Sequence, residues 1–80
     1  MPHKQTEGMY RVGIDFNPGG NPHVDQIKAT AAAMIDYVIE HGNDARCTAI
    51  ACTEIESAAM WAVKSVTKPD REEPRENEVR

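Results

Sequence analysis

Asn21-Pro22, closing the turn Phe16-Asn17-Pro18-Gly19-Gly20, dictates where a long helix must begin. The Asn21 side-chain oxygen is suited to accept a hydrogen bond from an unpaired N–H of the first turn. Pro22 at the first helical position forfeits no hydrogen bond, and its fixed φ already matches a helix. Val24-Asp25-Gln26-Ile27-Lys28 then carries the chain into that helix. A helix start collects free N–H groups and the positive end of a dipole, which together attract phosphate. Lys28, about two turns in, adds a full positive charge. Taken as a motif alone, the stretch reads first as a well-capped turn and second as an anion site.

From Pro22 to about His41 the apolar residues Val24, Ile27, Ala31, Met34 and Val38, with His41, recur at steps of three and four, and Ile35 and Ile39 widen the stripe. Gly42 and Asn43 end this helix, since both tolerate a left-handed C-terminal cap, and Asp44 caps the next. The second helix is expected from about Ala45 to Thr67, ahead of Pro69, with Thr48, Cys52, Ile55, Ala59, Ala62 and Val66 on one face. So short a connection between two long helices implies an antiparallel hairpin. Met9 to Phe16 alternates weakly and has no partner strand in the chain. It is therefore expected to form an extended arm over the hairpin or a neighbouring copy, preceded at most by a short helical turn. The fold class is all-α: a helical hairpin with an N-terminal arm, residues 1–68, followed by a charged, disordered tail, residues 69–80.

Two rods of about 20 residues, roughly 30 Å long, make a thin core. A chain of 80 residues needs disulfides, metal or self-association to offset that. Cys47 and Cys52, five apart on a helix, point in different directions and do not pair within it. They are expected to be buried free thiols in a reducing cytosol. His3, His23 and His41 are scattered, with no zinc-like spacing, so no metal or other cofactor is expected. Further small and apolar residues of the second helix, Ala51, Ala58, Trp61 and Val63, lie partly off its main stripe and are left for contacts between copies. An obligate homo-oligomer follows.

The chain carries no apolar run long enough to span a membrane and no signal-peptide pattern at its N-terminus. Its formal charge of −4 divides evenly between the body and the tail, where five acids face three arginines. Without a basic stripe it is a poor partner for DNA or long RNA, which leaves room for a small anion held by one lysine and backbone N–H groups. Catalysis lacks players: Glu54 and Glu56 diverge on their helix, and Asp15, His23 and Asp25 mark neither a nucleophile nor a metal cage.

The segments Phe16-Asn17-Pro18-Gly19-Gly20-Asn21-Pro22-His23-Val24-Asp25-Gln26-Ile27-Lys28 and Ala59-Met60-Trp61-Ala62-Val63-Lys64 together resemble a family of phage-encoded helical hairpins. These are the anti-CBASS sponges for cyclic oligonucleotide immune signals, related through the same hairpin to an anti-Thoeris group. The likeness runs from about Phe16 to Thr67. It implies a compact homohexamer in the cytoplasm of an infected bacterial host, holding its ligands intact and not acting as an enzyme. Cyclic dinucleotides would sit between protomers and cyclic trinucleotides where three protomers meet. For the dinucleotide, the resemblance assigns Lys28 to phosphate and Tyr10, or else Phe16, to stacking on a base. For the trinucleotide it assigns Thr30 and Lys64 to the phosphates. The family often has arginine where this chain has Lys64, a point charge in place of a two-pronged donor.

Each residue also has a plainer reading. Lys28 is otherwise a solvated helix lysine near Asp25, and Thr30 a hydroxyl bonded back to its own helix. Tyr10 is otherwise an anchor for the arm, and Trp61 is interface core before it is a ligand platform. Asn17 is expected to bond the turn backbone. Arg11 and Arg46 are read as exposed charges first and minor phosphate contacts second. The alternative to a sponge is a structural or regulatory helical oligomer that binds protein partners and no nucleotide.

Overall fold

Each helix starts at a side chain that supplies the acceptor its first turn lacks. A computed structural model describes residues 4–69 and contains α1 (Glu7–Val12), α2 (Pro22–His41) and α3 (Ala45–Thr67), with no strand among the described residues. Asn21 accepts from the His23 N–H at 2.7 Å and Asp44 from the Cys47 N–H at 2.8 Å. Both long helices therefore begin at the capping residues read from the sequence. The end of α2 differs from expectation. Gly42 is extended (φ −70°, ψ 132°), not left-handed, and its N–H donates to the Val38 carbonyl at 2.8 Å. Its lack of a side chain is needed for space instead, because a Cβ there would collide with the Thr48 side chain.

The segment expected as an extended arm is instead helical over α1. Thr6 Oγ1 accepts from the Met9 N–H at 3.1 Å, Glu7 stands in the first turn, and Arg11 in the last. Those charges complement the helix dipole, and Arg11 Nε donates to Glu7 Oε2 at 2.8 Å. Gly13 then turns left-handed (φ 63°, ψ 58°) and the Ile14 N–H reaches back to the Met9 carbonyl at 3.0 Å. This is the two-bond glycine stop common at helix ends. Local capping outweighs a weak two-residue alternation that has no strand to pair with.

α2 and α3 form the expected antiparallel hairpin, and Asn21 Nδ2 donates to the Val66 carbonyl at 3.4 Å, tying the start of one to the end of the other. α1 lies antiparallel to α2. The Gly8 N–H donates to Asp36 Oδ1 at 2.8 Å, and Gly8 packs so closely on the Ala32 carbonyl that a Cβ would overlap it. The docking of α1 decides which face of α2 is buried. Val24, Lys28, Ala32 and Ile35 form the buried ridge, joined from α3 by Cys52 and Ala59. The predicted stripe through Ile27, Ala31 and Met34 lies one residue, about 100° of helix rotation, to the side. Ile27 and Ala31 are half-buried, whereas Met34, Ile39 and His41 are exposed. On α3 the predicted stripe coincides with the buried face, with Thr48, Ile55, Ala62 and Val66 half-buried beside Cys52 and Ala59. Both cysteines are free; Cys52 is buried as expected, but Cys47 is exposed because it stands in the first turn of α3, off that stripe.

The result is a slab, 46 × 34 × 12 Å, whose least dimension is about one helix diameter. It encloses few side chains. Tyr10, Phe16, Tyr37 and Trp61, all the aromatic residues of the chain, are 64–72 % exposed. No helix among the described residues is long and apolar enough to cross a membrane. The expected tail, residues 69–80, lies outside the described residues except for Pro69, as does His3.

Two outcomes test this account. Gly8→Ala is expected to push α1 off α2 and lower stability by about 1–3 kcal/mol, the usual penalty for overpacking, read from urea unfolding. The hydrogen bond from the Cys47 N–H holds the Asp44 carboxyl below its ordinary value of 3.8. Its stabilisation is therefore complete above that value and lost as pH falls through the lower, folded-state pKa. Asp44→Asn keeps a capping oxygen and is expected to flatten this acid limb in thermal melts below about pH 4.

Candidate functional site

The first turn of α2 has no open nest for an anion. Asn21 Oδ1 takes the His23 N–H, the Asn21 carbonyl takes the N–H groups of Val24 and Asp25 at 3.1 and 3.4 Å, and Pro22 has none. Asn17 locks the turn as expected: its Nδ2 donates to the Asn21 carbonyl and its Oδ1 accepts from the Asn21 N–H. That same Nδ2 also donates to Asp25 Oδ1 at 2.9 Å. The carboxylate beside the helix start is thus Asp25, engaged with Asn17 rather than with Lys28. The well-capped turn is the correct reading of the motif, and the positive charge lies deeper.

Lys28 is that charge, and it is not solvated. The residue is only 8 % exposed, and its Nζ donates to the carbonyls of Gly13 at 2.9 Å and Phe16 at 2.5 Å. Nζ also lies 5.4 Å from the centre of the Phe16 ring, within cation–π range. Among the described residues no carboxylate comes within ion-pair distance of it. An ammonium has three donors, and two are accounted for. Left-handed Gly13 makes this possible, since the turn after α1 aims its carbonyls at α2.

Lys28 forms part of the wall of an open cavity of about 430 Å³, with Tyr10, Arg11, Phe16, Glu56 and Met60 around it. That volume falls within the range of small-molecule sites. α1 supplies Tyr10 and Arg11, the turn supplies Phe16, α2 supplies Lys28, and α3 supplies Glu56, Met60 and Val63. The three residues singled out for a dinucleotide are therefore neighbours, with both aromatic rings exposed. A second recess of about 360 Å³ shares Phe16 and Lys28 and runs along Asn17 and Asn21 to Thr67.

Arg11 is not a free surface charge. Besides its bond to Glu7, its Nη1 stands 3.8 Å from Glu56 Oε1, and its side chain is 29 % exposed. The Glu7 hydrogen bond is the main cause that raises its pKa further. The four-residue spacing of Glu7 and Arg11 is visible in the sequence as a helical ion pair. Glu56 as a cavity residue is not, because only the docking of α1 brings it there.

Thr30 and Lys64 lie elsewhere. Thr30 Oγ1 donates to the Gln26 carbonyl at 2.9 Å and accepts from Gln26 Nε2 at 3.0 Å. It edges an open apolar groove of about 320 Å³ between α2 and α3, with Ile27, Ala31, Met34, Ile55 and Ala58. Lys64 Nζ sits 4.9 Å from the centre of the Trp61 ring, both side chains being exposed. None of these three recesses contains both Thr30 and Lys64. Among the described residues, no group of three or more His, Cys, Asp or Glu is placed to hold a metal ion.

A family model for the Acb2/Tad1 hairpin domain matches residues 9–67. Neither a curated protein nor a solved structure matches the chain. The family match covers α2, α3, the turn between α1 and α2, and the last four residues of α1, which include Tyr10 and Arg11. It thus contains every residue of the Lys28 cavity named above, and the chain belongs to the Acb2/Tad1 hairpin family, the anti-CBASS and anti-Thoeris sponges for cyclic oligonucleotide signals.

Proposed function

We propose that this protein is a phage immune-evasion sponge that sequesters cyclic di- and trinucleotides in the cytoplasm of an infected bacterium and releases them uncut. The observation that carries this is Lys28. A buried ammonium held by carbonyl dipoles alone keeps its net charge, and a cavity flanked by that charge and two exposed aromatic rings suits a phosphate joined to a base. Lys28 contacts phosphate, and Tyr10 stacks on a base, with Phe16 as the second choice. Such stacking contributes roughly 1–3 kcal/mol per base. Thr30 and Lys64 hold a cyclic trinucleotide at a separate site assembled from several protomers.

The protomer associates as a homohexamer. A slab with all its aromatics exposed and an apolar groove along Ile27, Ala31 and Met34 leaves much of its apolar surface for partner copies. Symmetry then serves the ligand: one lysine per protomer becomes two around a cyclic dinucleotide, and the rotation axis of the ligand coincides with that of the site. Sequestration asks only for complementarity to the ground state, so no acid, base or nucleophile has to be arranged around the phosphates.

Sedimentation velocity at micromolar concentration is expected to give six copies of the 8.9 kDa chain; a monomer would refute the assembly. Calorimetric titration with cyclic di- and trinucleotides, followed by chromatography of ligand released by heat, is expected to return both intact. Linear product would mark an enzyme, and no binding a scaffold that takes protein partners. Lys28→Met retains the buried stem and removes the charge. It is expected to weaken dinucleotide binding about ten- to a hundredfold, as for a lost charged hydrogen bond, and to leave trinucleotide binding intact, with Thr30→Ala doing the reverse. Equal effects of both substitutions on both ligands would contradict two separate sites.

A further inference from the structure

Glu56 and Arg11 present an unusual pair of unspent groups to the same cavity. Glu56 lies in the middle of α3, its side chain 38 % exposed, and accepts no hydrogen bond from the described residues. Its nearest cationic atom, Arg11 Nη1, stands at 3.8 Å, too far for a hydrogen bond. Arg11 in turn spends Nε on Glu7 at 2.8 Å, which braces the guanidinium and leaves its terminal donors free. Apart from Lys28 and Tyr10, the side chains that complete the wall are apolar, among them Val12, Met60 and Val63. A partly exposed ion pair at this separation is a weak fastener of α1 to α3. Two acceptor oxygens and a set of fixed donors, side by side beside exposed aromatic rings, are what an incoming base would meet.

We infer that Glu56 and Arg11 select guanine as the base bound in this cavity; the inference rests on the cyclic-dinucleotide reading above. An ionised carboxylate only accepts hydrogen bonds. Guanine offers it two adjacent donors, the ring N1–H and the N2 amino group. The next atoms around the same ring system, O6 and N7, are acceptors, and arginine paired with O6 and N7 is the commonest specific contact to guanine. One guanine therefore satisfies both side chains at once. Adenine has a lone pair at N1 where guanine has a donor, which repels the carboxylate. Uracil sets a single N–H between two carbonyls, and cytosine pairs its amino group with an acceptor nitrogen. Stacking on Tyr10 or Phe16 does not discriminate, since every base has a π-face. Lys28 and the aromatic rings hold a nucleotide, and Glu56 with Arg11 decides which one.

The test is calorimetric titration of the full chain with cyclic di-GMP, cyclic GMP–AMP and cyclic di-AMP, on the unsubstituted protein and on Glu56→Gln. The unsubstituted protein is expected to bind in that order, each guanine replaced by adenine costing about tenfold, the size of one good base-edge contact. Glutamine at position 56 keeps an acceptor for the amino group of adenine and adds a donor for its N1. Glu56→Gln is therefore expected to weaken cyclic di-GMP at least tenfold and to leave cyclic di-AMP unchanged or tighter. Equal affinities for the three ligands in the unsubstituted protein would overturn the base assignment while the sponge reading stands. An equal loss for all three in Glu56→Gln would also overturn it, by reducing Glu56 to a brace for α1. If none of the three binds, the cyclic-dinucleotide reading fails and this assignment with it. The ranking in the unsubstituted protein decides the matter even if the variant does not fold.

Discussion

The ammonium of Lys28, drawn in among the carbonyls of Gly13 and Phe16, joins the turn after α1 to the middle of α2. Much of the structure follows from that contact. Taking a charge out of water is costly unless polar groups replace the lost hydration. Here two carbonyl dipoles do so in part, and no described carboxylate completes the neutralisation. The turn is oriented by the lysine, so Phe16 stands beside the cavity rather than in the core. The lysine is held by the turn, so its charge stays at a fixed depth. A methionine in this position would suit a hydrophobic core better, and a local conflict of this kind is characteristic of functional sites.

A second constraint is the thinness of the fold. The buried apolar set is short: Val24, Ala32, Ile35, Cys52 and Ala59. Alanine and cysteine bring the helices close but enclose little volume, and the large side chains, Trp61, Met60, Met34 and Tyr37, remain outside. In a larger domain such residues would form the core. Here they stay at the surface, because two long helices and one short one leave little interior to hold them.

Polar order in and beside the cavity is built from short-range bonds. Glu7 braces Arg11 across one turn of α1, and Asn17 stitches the loop to Asn21 and Asp25. These bonds hold donors and acceptors at fixed positions within the protein itself, and preorganisation of this kind lowers the ordering cost of binding in general. The partial cage around Lys28 does the same for charge. A binding protein gains from rigidity of this kind, whereas an enzyme would also need groups poised to exchange protons.

The sequence by itself determined where the long helices start and stop and that they pair as a hairpin. Asn21-Pro22 and Asp44 satisfy their helix starts within three residues, so that chemistry is complete in the local chain. The Thr6, Glu7, Arg11 and Gly13 signals of α1 are equally local, but a six-residue helix is too short for its periodicity to stand out from an alternating strand. Lys28 was legible as a candidate charge from its place two turns into α2, whereas Tyr10 and Phe16 were legible as candidates only through resemblance to a family. The tertiary structure alone decided which face of α2 is buried, that Lys28 faces carbonyls instead of solvent, and that Glu56 and Arg11 share a cavity. Each of these depends on α1 lying against α2 and α3, on contacts between residues such as Gly8 and Asp36 that are 28 positions apart. Hydrophobic spacing reports that a face will be covered; what covers it is settled by distant parts of the chain.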